Sequence, residues 1–224
     1  MSITKDTRVG DVATQYPLAT RVFARHSIDF CCGGGKPLSE ACGQAGIQVD
    51  ALMAELDKEI SSTSSPGERW DDKSPDTLIE HIIAAYHRPL EEELPRIEGL
   101  ARKVHAVHGD KQPEMLSGIL STFLSLRQEL EQHMAKEEDI LFPMIRAGKT
   151  GEAGEVTADL EQEHETAGAA LKRIRELTHN FALPEGACNS WRALWAGLEA
   201  LETALHEHIH LENNILFPRV AKTG

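Results

Sequence analysis

Two stretches of the 224-residue chain carry the same pair of residue types at the same spacing: His133-x-x-x-Glu137 in HMAKEEDILFPMI and His208-x-x-x-Glu212 in HIHLENNILFPRV. Residues four apart on a helix point the same way, so each pair presents an imidazole nitrogen and a carboxylate to one point. The stretches align without a gap and share the Ile-Leu-Phe-Pro that follows, with His208 lying 75 residues after His133. Two further histidines, His87 and His164, are 77 residues apart, so the chain reads as a duplicated helix pair.

All six residues fall in apolar seams. Leu116, Ile119, Phe123, Leu126, Leu130, His133, Glu137 and Ile140 follow steps of three and four, the pattern of a bundle helix. Leu198, Leu201, Leu205, His208, Glu212 and Ile215 repeat it. Ile79, Ile83, His87, Leu90 and Leu94 place one histidine in a third seam, and Leu160, His164, Ala167 and Leu171 place one in a fourth. Carboxylates and imidazoles in an apolar seam must be balanced by something, because an uncompensated buried charge is strongly unfavourable. Two metal ions would do so. With two imidazoles on each and both glutamates bridging, every ion has four ligands; a shared oxide or hydroxide makes five and leaves a position open for a small ligand. Imidazole and carboxylate without thiolate suit iron, with manganese and zinc left open. The competing reading, core histidines bonded to nearby glutamates, fits any one of them but not six in phase on four helices. A ferritin-like Glu-x-x-His pattern matches at Glu161–His164 and at Glu207–His210, but the second is out of phase with its seam. Glu161 is left as an outer partner for His164. His206 and His210 lie roughly 200° around the helix from His208 and do not share its face.

Four long helical segments position these residues. The first opens at Ser74-Pro75, a capping residue before a first-turn proline, and runs to about Val107; the second runs from Pro113 to about Ile145, the third from Gly151 to Asn180, the fourth from Pro184 to Val220. Short connections make neighbours antiparallel, so the expected fold is all-α, an up-down-up-down four-helix bundle over 74–224. Pro89 and Pro95 lie inside the first segment, and a kink is expected beside His87. The run SSTSSPGERWDDKSPD from Ser61 to Asp76 has no apolar periodicity and sets a linker at 62–73. Ahead of it, short amphipathic pieces at Val9–Ala13, Leu18–Arg25, Leu38–Ala45 and Val49–Ile60 make a small helical N-terminal domain, 1–61, interrupted by Cys31-Cys32-Gly33-Gly34-Gly35.

Asp and Glu number 36 against 23 Lys and Arg, a net charge of -13, which disfavours nucleic acid and anionic membrane surfaces as partners. No apolar run approaches bilayer length, and the N-terminus lacks a secretion signal, so a soluble cytoplasmic protein is expected. The four cysteines, two of them adjacent, are read as reduced thiols.

The Asp29-Phe30-Cys31-Cys32-Gly33-Gly34-Gly35 segment, followed by His87, His133-x-x-x-Glu137, His164 and His208-x-x-x-Glu212, resembles the repair-of-iron-centres family of hemerythrin-like diiron proteins. The resemblance covers nearly the whole chain, departing at Pro89 and at an extra glycine after the cysteine pair. It implies a non-haem diiron centre and a role in restoring iron-sulfur clusters damaged by nitric oxide or peroxide, in proteins that would be the partners of a homodimer. Cys31 and Cys32 are candidate reactive or iron-transferring thiols, their pKa lowered by the amides of the glycine run; Cys42 and Cys188 are read as structural. Iron donation and nitric oxide reduction are the two activities considered. A reversible nitric oxide or dioxygen binder without turnover is the alternative, and an adaptor that docks damaged partners is a third.

Overall fold

The computed structural model describes residues 3–61 and 67–221; residues 62–66 of the expected linker lie outside them. The described residues are all-α, with no strand and one isolated bridge between Arg8 and Pro37. A small N-terminal helical domain precedes an antiparallel four-helix bundle. No helix among the described residues is long and apolar enough to cross a membrane. By compactness the chain divides into two units, Met1–Leu78 with His206–Gly224, and Ile79–Leu205.

In the first unit, α1 (Val9–Gln15), α2 (Ala19–Arg25), α3 (Leu38–Ala45) and α4 (Val49–Ser61) stand where the sequence places them. Each is too short to be stable alone, and what holds them is a common core in which Val9, Val22, Phe23, Leu38 and Leu56 are completely buried. Pro17 stops α1, and Gly46, at φ 72°, ends α3 in a left-handed cap. Arg219 donates to the carbonyl oxygens of Trp70 (3.0 Å), Asp71 and Lys73 (2.6 Å), giving that polar segment a defined path. The Ser74 hydroxyl accepts the Thr77 amide at 3.1 Å, as expected of a cap at the start of α5 (Pro75–Ile82).

The remaining helices are α6 (Arg88–His108), α7 (Pro113–Lys136), α8 (Phe142–Arg146), α9 (Thr150–Leu177), α10 (Asn189–Leu211) and α11 (Phe217–Ala221). Among the described residues three π-helical turns, Ile83–His87, Glu137–Leu141 and Glu212–Leu216, join α5 to α6, α7 to α8 and α10 to α11 end to end. Each is closed by a wide backbone bond, from the amide of Arg88 to Ile83, of Phe142 to Glu137 and of Phe217 to Glu212. In all three, the next residue is a proline: Pro89, Pro143 and Pro218. A proline cannot donate to the fourth residue before it and its ring collides with that carbonyl; widening the turn relieves both. The sequence-based expectation was a kink beside His87, and a π-turn ending on His87 is what the chain forms.

The extra residue shifts the seam at the first two turns, while at the third Ile215 is buried as expected. Ile140 was expected inside and is 45 % exposed, while Leu141 is fully buried. In the same way Ile82 is completely buried where Ile83 was expected. Two ends also differ. The third long helix stops at Leu177, not Asn180, because His179, Asn180 and Phe181 take left-handed φ values of 50°, 58° and 56°. This turn is held by Thr178, whose hydroxyl accepts the Phe181 amide at 3.1 Å. The fourth begins at Asn189, not Pro184, the intervening loop being pinned by Trp195 donating to the Ala182 carbonyl at 3.2 Å.

Candidate metal centre

Within the second unit, four of the expected ligands converge. His133, Glu137 and His164 are 4 %, 0 % and 2 % exposed, and each offers a ligand atom within 4.8 Å of the others. The Nε2 atoms of His133 and His164 are 3.0 Å apart, and Glu137 Oε2 is 3.5 Å from that of His133. His87, fully buried, brings its Nε2 to 3.3 Å from the same carboxylate oxygen. Its ring stacks on Phe142, 5.9 Å between centroids, which gives the phenylalanine of the Phe-Pro pair a role.

Two carboxylates outside this group set the imidazoles. His87 Nδ1 bonds Glu138 Oε1 at 2.9 Å, and His133 Nδ1 bonds Glu163 Oε2 at 2.8 Å. A carboxylate only accepts, so each imidazole keeps its proton on Nδ1 and turns the Nε2 lone pair inward, the arrangement found behind metal-ligating histidines. Glu138 is also held by Arg88, and Glu163 by Lys136. Burial works to raise both carboxyls, but in Glu138 the bonds from His87 and Arg88 outweigh it, as do those from Lys136 and His133 in Glu163; both stay below the usual carboxylate range. Sequence reasoning named Glu161 for this role, beside His164. Glu161 is exposed, and it is Glu163 that serves, on the histidine of the preceding helix. The available signal was an acid adjacent in sequence to a seam residue, Glu138 after Glu137 and Glu163 before His164.

In the first unit, His208 Nε2 lies 2.9 Å from Glu212 Oε1, both essentially buried, in the same four-residue relation. The residues after Glu212 differ from those after Glu137: Asn213-Asn214 replaces Glu138-Asp139. Their side chains hold the cysteine loop. Asn214 Nδ2 donates to the carbonyls of Cys31 (3.0 Å) and Phe30 (3.3 Å), and Asn213 Nδ2 to Cys31 at 3.5 Å. Gly10 and Gly34 leave room for the Asn214 amide, whose oxygen a Cβ on either would meet at 2.2 and 2.5 Å. His210, 5 % exposed, bonds the Phe30 carbonyl through Nδ1 at 3.3 Å and meets that ring edge-on. Burial pulls its pKa down to about 4, against a smaller opposing effect of the carbonyl.

All four cysteines are free, as expected. Cys31 does not have the lowered pKa expected of a thiol beside a glycine run. The hydrogen bond to Cys32, burial and the nearby Asp29 charge push it well above the usual thiol range. Cys42 is buried in the N-terminal core, in keeping with a structural role, whereas Cys188, read the same way, is exposed.

Nitrogen and oxygen donors, buried, converging and backed by outer carboxylates, fit a cation that prefers imidazole and carboxylate. The class these features define is a cation-binding helical bundle of hemerythrin type. The family described as hemerythrin HHE cation binding domain matches residues 78–220, and a domain described as of unknown function, ScdA_N, matches 5–60. The chain is 42 % identical over 214 residues to the iron-sulfur cluster repair protein YtfE of Yersinia pseudotuberculosis (strain IP 31758), covering 96 % of each chain. The protein of that name from Yersinia pestis (strain Pestoides F) matches to the same extent. The chain belongs to the family of hemerythrin-type iron-sulfur cluster repair proteins.

Proposed function

We propose that the protein takes part in repairing iron-sulfur clusters damaged by nitrosative or oxidative stress, through two non-haem iron ions held by His87, His133, His164 and His208, with Glu137 and Glu212 as shared carboxylates and an oxide or hydroxide completing the centre. The observation that carries this reading is the convergence of His133, Glu137 and His164 in a buried group, each of two imidazoles in the unit being fixed from behind by a carboxylate. The internal repeat supports adding His208 and Glu212, which occupy the same places in the second half.

Iron bound there would supply redox chemistry toward a small ligand such as nitric oxide or dioxygen. The chain's own residues do the rest. The Nδ1 bonds keep the imidazoles of His87 and His133 from rotating; the apolar seam excludes water; Glu137 and Glu212 would hold the iron, which would supply either donation to a damaged client or nitric oxide reduction. Cys31 and Cys32 are the reactive thiols of this reading. The protein acts in the cytoplasm, as a homodimer, on clients whose clusters have lost iron, with domain limits at 1–61 and 74–224.

Elemental analysis with an optical spectrum, on protein purified without added metal, tests the centre, and recovery of activity in a client with a nitric-oxide-damaged cluster tests the repair. About two irons per chain with an oxo-bridged absorption is expected. Zinc alone, no metal in a folded protein, or full repair by a Glu137→Leu variant overturns the reading.

A further inference from the structure

The loop between α2 and α3 holds a second group of donors, chemically unlike those of the bundle. Asp29, Cys31 and Cys32 each offer a ligand atom within 4.8 Å of the other two. Adjacent residues ordinarily send their side chains to opposite sides, so something must bend the chain. The bend is made by Asp29, whose Oδ1 accepts the amides of Cys31 and of Cys32, each at 3.0 Å. The same oxygen is 3.2 Å from the Cys31 sulfur. Gly33 closes the turn, since a Cβ there would come to 3.1 Å from the Asp29 carboxyl carbon and 3.0 Å from its carbonyl oxygen. Asn213 and Asn214 grip the Phe30 and Cys31 carbonyls from the other side. The loop is therefore built around the spacing of its donors.

That spacing has a chemical meaning. Thiolates bound at about 2.3 Å to one tetrahedral ion stand about 3.8 Å apart. The sulfurs of Cys31 and Cys32 are 3.9 Å apart. We propose that Asp29, Cys31 and Cys32 form a binding site for a thiophilic divalent cation such as zinc or ferrous iron, held by two thiolates and one carboxylate with a fourth position open. Both thiol protons pass to solvent on binding. Three ligands and an open position suit an ion that is exchanged, since a structural site fills all four. Cys31 is buried and Cys32 only partly so, which puts the approach on the Cys32 side. The site rests on this loop's geometry and stands or falls separately from the bundle, whose donors include no sulfur.

Cobalt is the probe that separates the two. Bound by thiolate it gives an intense sulfur-to-metal charge-transfer band, which histidines and glutamates cannot produce. The full-length, iron-loaded protein is titrated with cobalt without oxygen. The expected result is such a band saturating at one cobalt per chain, bleached by zinc, lost in Cys32→Ser, and unchanged in Cys42→Ser and Cys188→Ser. Asp29→Asn keeps an acceptor for the two amides but loses the charged ligand, and cobalt affinity should fall at least about tenfold. If Asp29→Asn fails to fold, Cys32→Ser carries the test, with its iron content and circular dichroism confirming an intact bundle. No charge-transfer band in the wild-type protein, or a band that survives Cys32→Ser, overturns the proposal whatever the iron content of the bundle.

Discussion

Glu138 takes the Nδ1 of His87 at 2.9 Å while its sequence neighbour Glu137 faces the Nε2 of the same ring at 3.3 Å, so of two consecutive acids one holds the ring from behind and the other stands beside its inward lone pair. Glu138→Ala frees the ring to turn and removes the charge that makes it a strong donor to metal. Metal affinity should drop about 10–100-fold. The metal-free protein should lose about 1–3 kcal/mol, because the Nδ1–H of the completely buried His87 is left without its acceptor. Iron retained against a graded chelator series, beside chemical denaturation of the metal-free protein, separates the two effects; unchanged retention would count against the outer role.

Pro143→Ala tests why the wide turn at Glu137 exists. Alanine restores a donor and removes the ring, so an ordinary α-turn competes with the π-turn and swings Glu137 away from His87 and His133. Metal-free stability should hold or rise by up to about 1 kcal/mol, since the added residue is the better helix former. Metal affinity should fall about tenfold, one π-turn ligand being misplaced. Thermal unfolding with and without metal reads both numbers. Equal affinity in the variant would show that the turn holds its shape for another reason.

His210 gives the protein an acid limit. Its pKa of about 4 lies below the value of about 6.5 for an unfolded histidine, so between these pH values the unfolded chain binds the extra proton. Above about pH 6.5 both forms are neutral and the residue adds no pH dependence; as pH falls toward 4, stability is lost, by at most about 3 kcal/mol. His210→Gln should flatten the stability-against-pH curve of the metal-free protein across this window. A curve as steep as that of the wild type would assign the acid limit elsewhere.

Asn214→Asp changes one atom and reverses the sense of an interaction. A carboxylate accepts and does not donate, so it meets the Phe30 and Cys31 carbonyls with repulsion in place of two hydrogen bonds. Stability should fall by about 1–3 kcal/mol. The buried Cys31 should alkylate several times faster as the loop opens, measured by mass spectrometry of the labelled peptide. Labelling at the wild-type rate would show that the loop is held by its own turn alone.

What the sequence revealed and what it hid divide along physical lines. The burial of His87, His133, Glu137, His164, His208 and Glu212 was legible because helical spacing and an internal repeat are properties of the string itself. The outer acids Glu138 and Glu163 were not, since acids on the polar side of a helix are common and only the fold says which of them faces a neighbouring histidine. Ile140 was misplaced because steps of three and four assume a constant pitch, and the π-turn inserts a residue that the count does not see. The Phe-Pro pair in both halves marked the place without saying what happened there. Cys31 was assigned a lowered pKa from the amides of the glycine run. Its surroundings, 4 % exposed with Cys32 and Asp29 against its sulfur, act in the opposite direction.

The proline that follows each wide turn has a bearing on what the protein is like between one load of metal and the next. An extra residue in a helix can ordinarily travel, one turn handing it to the next, until it is absorbed at a loose end. Pro89, Pro143 and Pro218 block that migration on the C-terminal side, because the turn beyond each cannot be rewound into an unbroken ladder of bonds. The irregularity is barred from moving past these prolines and stays beside His87, Glu137 and Glu212, with or without an ion to hold it there. The mould is a property of the chain and does not depend on what fills it.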